Sequence, residues 1–273
     1  MRLHNVLALV ACMMLVTTVH AQRSQLKVGD EAPALDIAEW IKGDSTAIEK
    51  DQVYVIEFWA TWCGPCRAAI PHLSELQRRY EADGLRIIGV STEDKDVVER
   101  FVRSQGQQIA YTIAVDSRNT TERNWMTAAG QRGIPTSFIV DQRGRIQFIG
   151  NPHSSEFSRV LGLVMNGRYD AVLLEEATPI LDAADNARRV RNWRQAFGHL
   201  DKAIEMDRHI FAPLELTKFE IMMHEMEDPD TAYRHARSII RSYSDDPGLL
   251  LRLAEMVASD PKISTEHRDM KVA

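Results

Sequence analysis

Apolar positions along the chain follow two different rhythms. Val53 to Trp59 is a run of β-branched and aromatic residues broken by one charge, Glu57, long enough for a strand and too short for a helix. After Cys66, Ala69, Leu73, Leu76 and Tyr80 recur at helical spacing until Asp83-Gly84 stops them. Alternation then continues: a strand at Leu85 to Val90, a helix at Asp94 to Ser104, a strand at Ala110 to Val115, and a helix at Thr120 to Ala129. Strands at Ser137 to Val140 and Arg145 to Ile149 flank the turn Gln142-Arg143-Gly144. Gln22 to about Lys50, with Val28-Gly29-Asp30-Glu31-Ala32-Pro33, reads as loop and short strands. Strands alternating with helices predict an α/β sheet covered on both faces.

From about Ser155 the strand signals stop. Ala171 to Ala184, Trp193 to Met206, Ala212 to Met226, Thr231 to Tyr243 and Pro247 to Ala258 all carry helical periodicity, separated by Asp, Pro and Gly. Ala196, Leu200 and Ile204 are echoed 36 residues later by Ala232, Ala236 and Ile240. A period in the thirties with two helices per unit fits tetratricopeptide-like repeats, and a non-repeating bundle fits equally well. Trp193, Phe197 and Phe211 either line a groove through which the tail selects a substrate or, as helical spacing more often means, fill a core. The rhythm divides the chain into 22–165, α/β, and 166–273, all-α.

Residues Met1 to Ala21 place Arg2 and His4 before an apolar run from Val6 to Val16 and end in Val19-His20-Ala21, which reads as a signal peptide cut after Ala21. A retained anchor, or lipidation at Cys12 after Leu9-Val10-Ala11, is the other reading of the same segment. With Cys12 removed, Cys63 and Cys66 are the only cysteines, and export puts them where disulfides persist. A net charge of -6 over 273 residues argues against binding nucleic acid through its phosphates. Residues 22–165 sum to -2 and 166–273 to -5, so neither part offers a basic face.

Trp62-Cys63-Gly64-Pro65-Cys66 puts two thiols across a turn from strand to helix. Disulfide exchange needs an accessible thiolate and a second thiol close enough to displace what the first has captured. At the first turn of a helix Cys63 meets free N–H groups and the positive end of the dipole, worth about 0.3 to 2 kcal/mol to an anion. That draws its pKa from about 8.5 toward 7. Cys66, one turn inward, is the resolving thiol, and Pro65 sits where helices tolerate proline. The pair could also be half a zinc site, but no local second pair of ligands accompanies it. Glu57 is a buried base for the Cys66 proton if its strand is central, and a solvated side chain if the strand is an edge. Gly133-Ile134-Pro135-Thr136 leads into a strand, where Pro135 is cis beside the sulfurs or an ordinary trans turn.

Trp62-Cys63-Gly64-Pro65-Cys66, Pro71, Glu57 and Arg132-Gly133-Ile134-Pro135-Thr136 together resemble the thioredoxin superfamily. The Val28-to-Pro33 entry, the exported N-terminus and the segment from Tyr111 to Val115 are more similar to the exported TlpA/ResA-type branch. The resemblance covers about 25–165 and implies a thioredoxin fold, a redox-active Cys63–Cys66 pair, cis-Pro135 and proton transfer at Glu57, where thioredoxin usually has Asp. It implies a client lying across Trp62, Gly64, Pro65, Ile134 and Pro135, and neither a metal nor a cofactor beyond the disulfide. Gly-Pro between the cysteines and Ile before Pro135 resemble reducing members, with a protein disulfide as substrate and a membrane electron donor to recharge the pair. Oxidation of protein thiols, or an interaction protein whose helices bind partners, are the alternatives. The entry also resembles peroxiredoxins, but their Thr three residues before the reactive Cys is Ala60 here.

Overall fold

The computed structural model describes residues 25–261 together with 263, 268, 269 and 272; the signal-peptide reading and Cys12 lie outside the described residues. Strand β2 (Val53–Phe58) has all six residues buried, because it lies in the middle of a six-stranded sheet. Around it stand β1 (Ile37–Lys42), β3 (Leu85–Ser91), β4 (Thr112–Asp116), β5 (Thr136–Val140) and β6 (Ile146–Gly150), in the order β1-β4-β3-β2-β5-β6. The β2, β3 and β4 strands run parallel, while β1, β5 and β6 pair antiparallel with their neighbours. This mixed sheet flanked by helices, with the dithiol at the end of its central strand, is a thioredoxin fold.

Strand alternation gives the sheet two apolar faces. Val53, Val55, Ile87, Ile113 and Ile139 meet helix α1 (Gly64–Tyr80) and α4 (Ser155–Met165), which contributes Phe157, Val160, Leu161 and Val164. Tyr54, Ile56, Phe58, Ile88 and Phe138 meet Trp125, Met126 and Ala129 on the other face. Helix α2 (Lys95–Gln105) begins at Asp94 and buries Val98 and Val102.

Two expected helices change pitch. The helix anticipated over Thr120 to Ala129 is a short α3 (Thr120–Glu122) followed by a π-turn (Arg123–Thr127). The one anticipated over Ala212 to Met226 is α7 (Pro213–Glu220) followed by a π-turn (Ile221–Glu225). Consecutive Trp125 and Met126, and Ile221, Met222 and Met223, are buried, and the wider turn brings neighbours inward that a 3.6-residue period would spread around the axis. α4 was not among the expected helices.

The remaining helices are α5 (Ala171–Arg189), α6 (Trp193–Met206), α8 (Pro229–Ser242) and α9 (Pro247–Ser259). α7, α8 and α9 share one apolar cluster, and α5 and α6 close two smaller ones with Phe211 and Ile221. Phe211 is core, whereas Trp193 and Phe197 are partly buried against these clusters. The first of these helices is tied to the sheet. Asp170 caps α5 through the Val172 and Leu173 N–H groups and takes Arg143 from the β5–β6 turn at 2.6 Å. Gln147 on β6 donates to Asp141 at 2.8 Å and accepts from the Ala171 N–H at 2.9 Å. Arg168 pairs with Asp246, the cap of α9.

Candidate redox site

Cys63 caps the N-terminus of α1 with extended backbone, and its Sγ accepts from the Cys66 N–H at 3.2 Å. A dipole end and a donated N–H therefore converge on the sulfur expected to carry charge. Cys63 and Cys66 are joined as a disulfide, S–S 2.06 Å, with Pro65 in the first turn between them. Cys66 is fully buried. Cys63 is only 5% exposed, less open than its expected role as the attacking thiol suggested, because its sulfur faces the Ile134 carbonyl oxygen at 3.9 Å. Trp62 is 72% exposed, and Gly64 and Pro65 are exposed beside it. The Ile134–Pro135 bond is cis, with Ile134 half-buried and Pro135 buried. Of the five residues expected to meet a client, Trp62 and Ile134 line one cavity, Gly64 and Pro65 are exposed between the two cysteines, and Pro135 is buried.

Glu57 stands on β2, the central strand, and is completely buried, so the edge-strand reading falls. Desolvation pushes its pKa up to about 8, opposed by a hydrogen bond that the Tyr111 hydroxyl donates to Oε2 at 3.2 Å. Burial first, and the neighbouring carboxyl second, push the Tyr111 phenol well above its ordinary value, so it stays a donor. A carboxyl poised near 8 can take and return protons close to neutral pH.

Three partners of the site were not among the expected residues. Glu93 follows β3 and accepts from the Thr61 N–H at 2.6 Å and the Thr61 hydroxyl at 2.7 Å, with the Ser91 hydroxyl at 3.2 Å. It clamps the turn that carries Trp62 and Cys63. Glu93 also lines a cavity of about 270 Å³ with Trp62, Glu122, Met126, Arg132 and Ile134. Tyr111 is the second, and His153 the third: its Nε2 lies 3.0 Å from the Pro65 carbonyl oxygen. Each lies just outside a regular strand or helix, in a connecting segment, where sites tend to be built. Replacing Glu93→Ala is expected to lower the rate of insulin disulfide reduction about tenfold through misplacement of the turn. Thermal unfolding measured alongside checks that the loss is one of positioning rather than of folding.

Fold and site define a thiol–disulfide oxidoreductase of thioredoxin fold. Residues 28–149 match the AhpC/TSA family. The thiol-disulfide oxidoreductase ResA of Bacillus anthracis is 28% identical over 135 residues, 48% of this chain and 74% of that protein. Protein FixW of Rhizobium leguminosarum is 22% identical over 207 residues, covering 67% of this chain and 93% of its own. Among solved structures, a thiol:disulfide interchange protein DsbE, so described as putative, from Chlorobium tepidum matches 51% of this chain and 99% of its own at 24% identity and a TM-score of 0.44. Among the described residues no three His, Cys, Asp or Glu side chains gather as a metal site, and no helix is long and apolar enough to cross a membrane.

Proposed function

We propose that this protein is exported and reduces disulfide bonds in client proteins. The observation that carries the reading is the Cys66 N–H aimed at Cys63 Sγ from the first turn of α1, because it favours the anion that must attack. In the reduced protein, Cys63 thiolate attacks one sulfur of a client disulfide. A mixed disulfide forms and the other client sulfur leaves as a thiolate. Glu57 takes the Cys66 proton, Cys66 attacks Cys63 Sγ, the Cys63–Cys66 bond forms, and the client leaves with both its sulfurs reduced. Two electrons pass from protein to client, and a membrane-borne thiol donor restores the pair. The buried Glu57, and the exposed Trp62 on a cavity it shares with Ile134, support the roles of base and client platform.

Export rests on the order of charge, apolar run and Val-His-Ala in residues 1–21, and the reducing direction rests on Gly64-Pro65 and Ile134. The α/β unit ends near 165, and the helices from 166 onward, as tetratricopeptide-like pairs, supply a surface for the client or the donor. Peroxide reduction fits less well, since Thr61 gives both its N–H and its hydroxyl to Glu93.

Expressing Cys66→Ser in the native compartment is expected to trap clients on Cys63 as mixed disulfides, recoverable by non-reducing electrophoresis. A reduction potential near those of protein-thiol oxidants, or no trapped client with Cys63 unreactive to alkylation at neutral pH, would overturn the reading.

A further inference from the structure

Glu57 is one of a group of polar atoms on a single face of the sheet. Across β2 and β5 its direct neighbour is Ser137, and across β2 and β3 it is Gly89. Directly opposed residues project to the same side with Cβ atoms about 4.5–5.5 Å apart. Trp59, two residues on, projects to that side as well, and a Cβ built on Gly89 would stand 3.0 Å from Trp59 Nε1. Cys66 and Tyr111 share the apolar cluster of this face. Glu57 Oε2 has the Tyr111 hydroxyl, whereas Glu57 Oε1, Ser137 Oγ and Trp59 Nε1 are buried and meet no partner within the chain.

One unpaired polar atom in a core costs about 1–3 kcal/mol, so three in one neighbourhood on a central strand need a common cause. A water needs two to four polar partners, and an acceptor, a hydroxyl and an indole N–H together make such a set. Ser137 is the member that both donates and accepts, so it can pass a proton rather than only hold one. Gly89 matters for a related reason: a side chain there would press on the Trp59 indole and on Ile113.

We propose that Tyr111 and Ser137 are positioning residues for proton transfer, Tyr111 by occupying Glu57 Oε2 and Ser137 by holding, with Glu57 Oε1, a water through which the Cys66 proton moves. The inference rests on the role proposed for Glu57. In the resolving step Cys66–SH gives its proton to this water, the water gives one to Glu57 Oε1, and the Cys66 thiolate attacks Cys63 Sγ. The departing client thiolate regains a proton from solvent. The direct neighbours of Glu57 are Tyr111 ahead of β4, Ser137 from β5 and Gly89 from β3, and Cys66 of α1 packs in the cluster on the same side of the sheet, with Val55 and Trp59. In the disulfide form burial raises the Glu57 pKa and the Tyr111 hydrogen bond opposes it.

The test mixes the reduced full chain with excess dithiobis-nitrobenzoate, which releases one aromatic thiolate when Cys63 attacks and a second when Cys66 resolves. Glu57→Gln should abolish the rise of the second phase with pH. Ser137→Ala should slow that phase about tenfold, the low end of what positioned proton transfer contributes, and leave the first phase unchanged. Tyr111→Phe should move the midpoint of the second phase upward, because it removes the hydrogen bond that favours the carboxylate, and Ser137→Thr should restore the rate. If the rise survives in Glu57→Gln, both the base and the relay are wrong. If Glu57→Gln abolishes it while Ser137→Ala and Tyr111→Phe leave rate and midpoint alone, or slow both phases equally, the relay alone is overturned.

Discussion

Replacing Glu57→Gln is expected to stabilise the folded protein by about 5 kcal/mol above pH 8 and by almost nothing near pH 4.5. The folded chain holds the Glu57 proton up to about pH 8, against an ordinary value of 4.5, because burial penalises the carboxylate more than Tyr111 helps it. Between those limits the folded state binds more protons than the unfolded one, so stability declines as pH rises, at about 1.4 kcal/mol per unit, and the decline is complete above 8. Glutamine keeps the shape, can accept from Tyr111 and has nothing to titrate. Urea denaturation of both proteins from pH 4.5 to 9 reads the difference directly. Parallel curves across that range would mean that Glu57 is charged or wet in the folded state, contrary to its complete burial. The same variant should resolve mixed disulfides more slowly, so stability and turnover move in opposite directions at one residue.

Replacing Cys63→Ser should reduce turnover of insulin disulfides by at least about a thousandfold, since a serine hydroxyl is not ionised at neutral pH. Cys66 is fully buried and cannot substitute. The contrast with Cys66→Ser is the informative part: that variant should still react once, and then stop. In reduced Cys66→Ser protein, alkylation of Cys63 by iodoacetamide should reach half its maximal rate near pH 7, about one to two units below an unperturbed thiol, because the N–H of residue 66 still points at the sulfur. A midpoint near 8.5 would remove the physical basis for Cys63 as the attacking group.

The sheet and the sulfur pair were legible because their causes are local. Val53 to Phe58 is apolar on both sides but for Glu57, the pattern of a central strand, and the structure decides the open question of Glu57 for burial. The Gly64-Pro65 spacing put Cys63 at a helix start. α4 was legible too, through the Ser154 cap and Phe157, Val160, Leu161 and Val164, but these follow so closely on β6 that the end of the strand signals masked the beginning of a helix. The π-turns were not legible, since burying Ile221, Met222 and Met223 together depends on what packs against them. Nor were the partners of the site. Tyr111 lies 54 residues from Glu57 and Glu93 32 from Thr61, and neither pair leaves a trace in any local pattern. Cys63 was expected to be more open than it is because its cover, the Ile134 carbonyl, arrives from 71 residues away.

Asp170 does two jobs, capping α5 and gripping Arg143 on the hairpin that continues from the cis-Pro135 strand. With Gln147 fastened to Ala171 and Arg168 to Asp246, the junction has little slack. If the helices hold a client as proposed, helices seated this way would act as a ruler rather than a leash, and a client would be chosen by how far its cystine lies from the point where it is held.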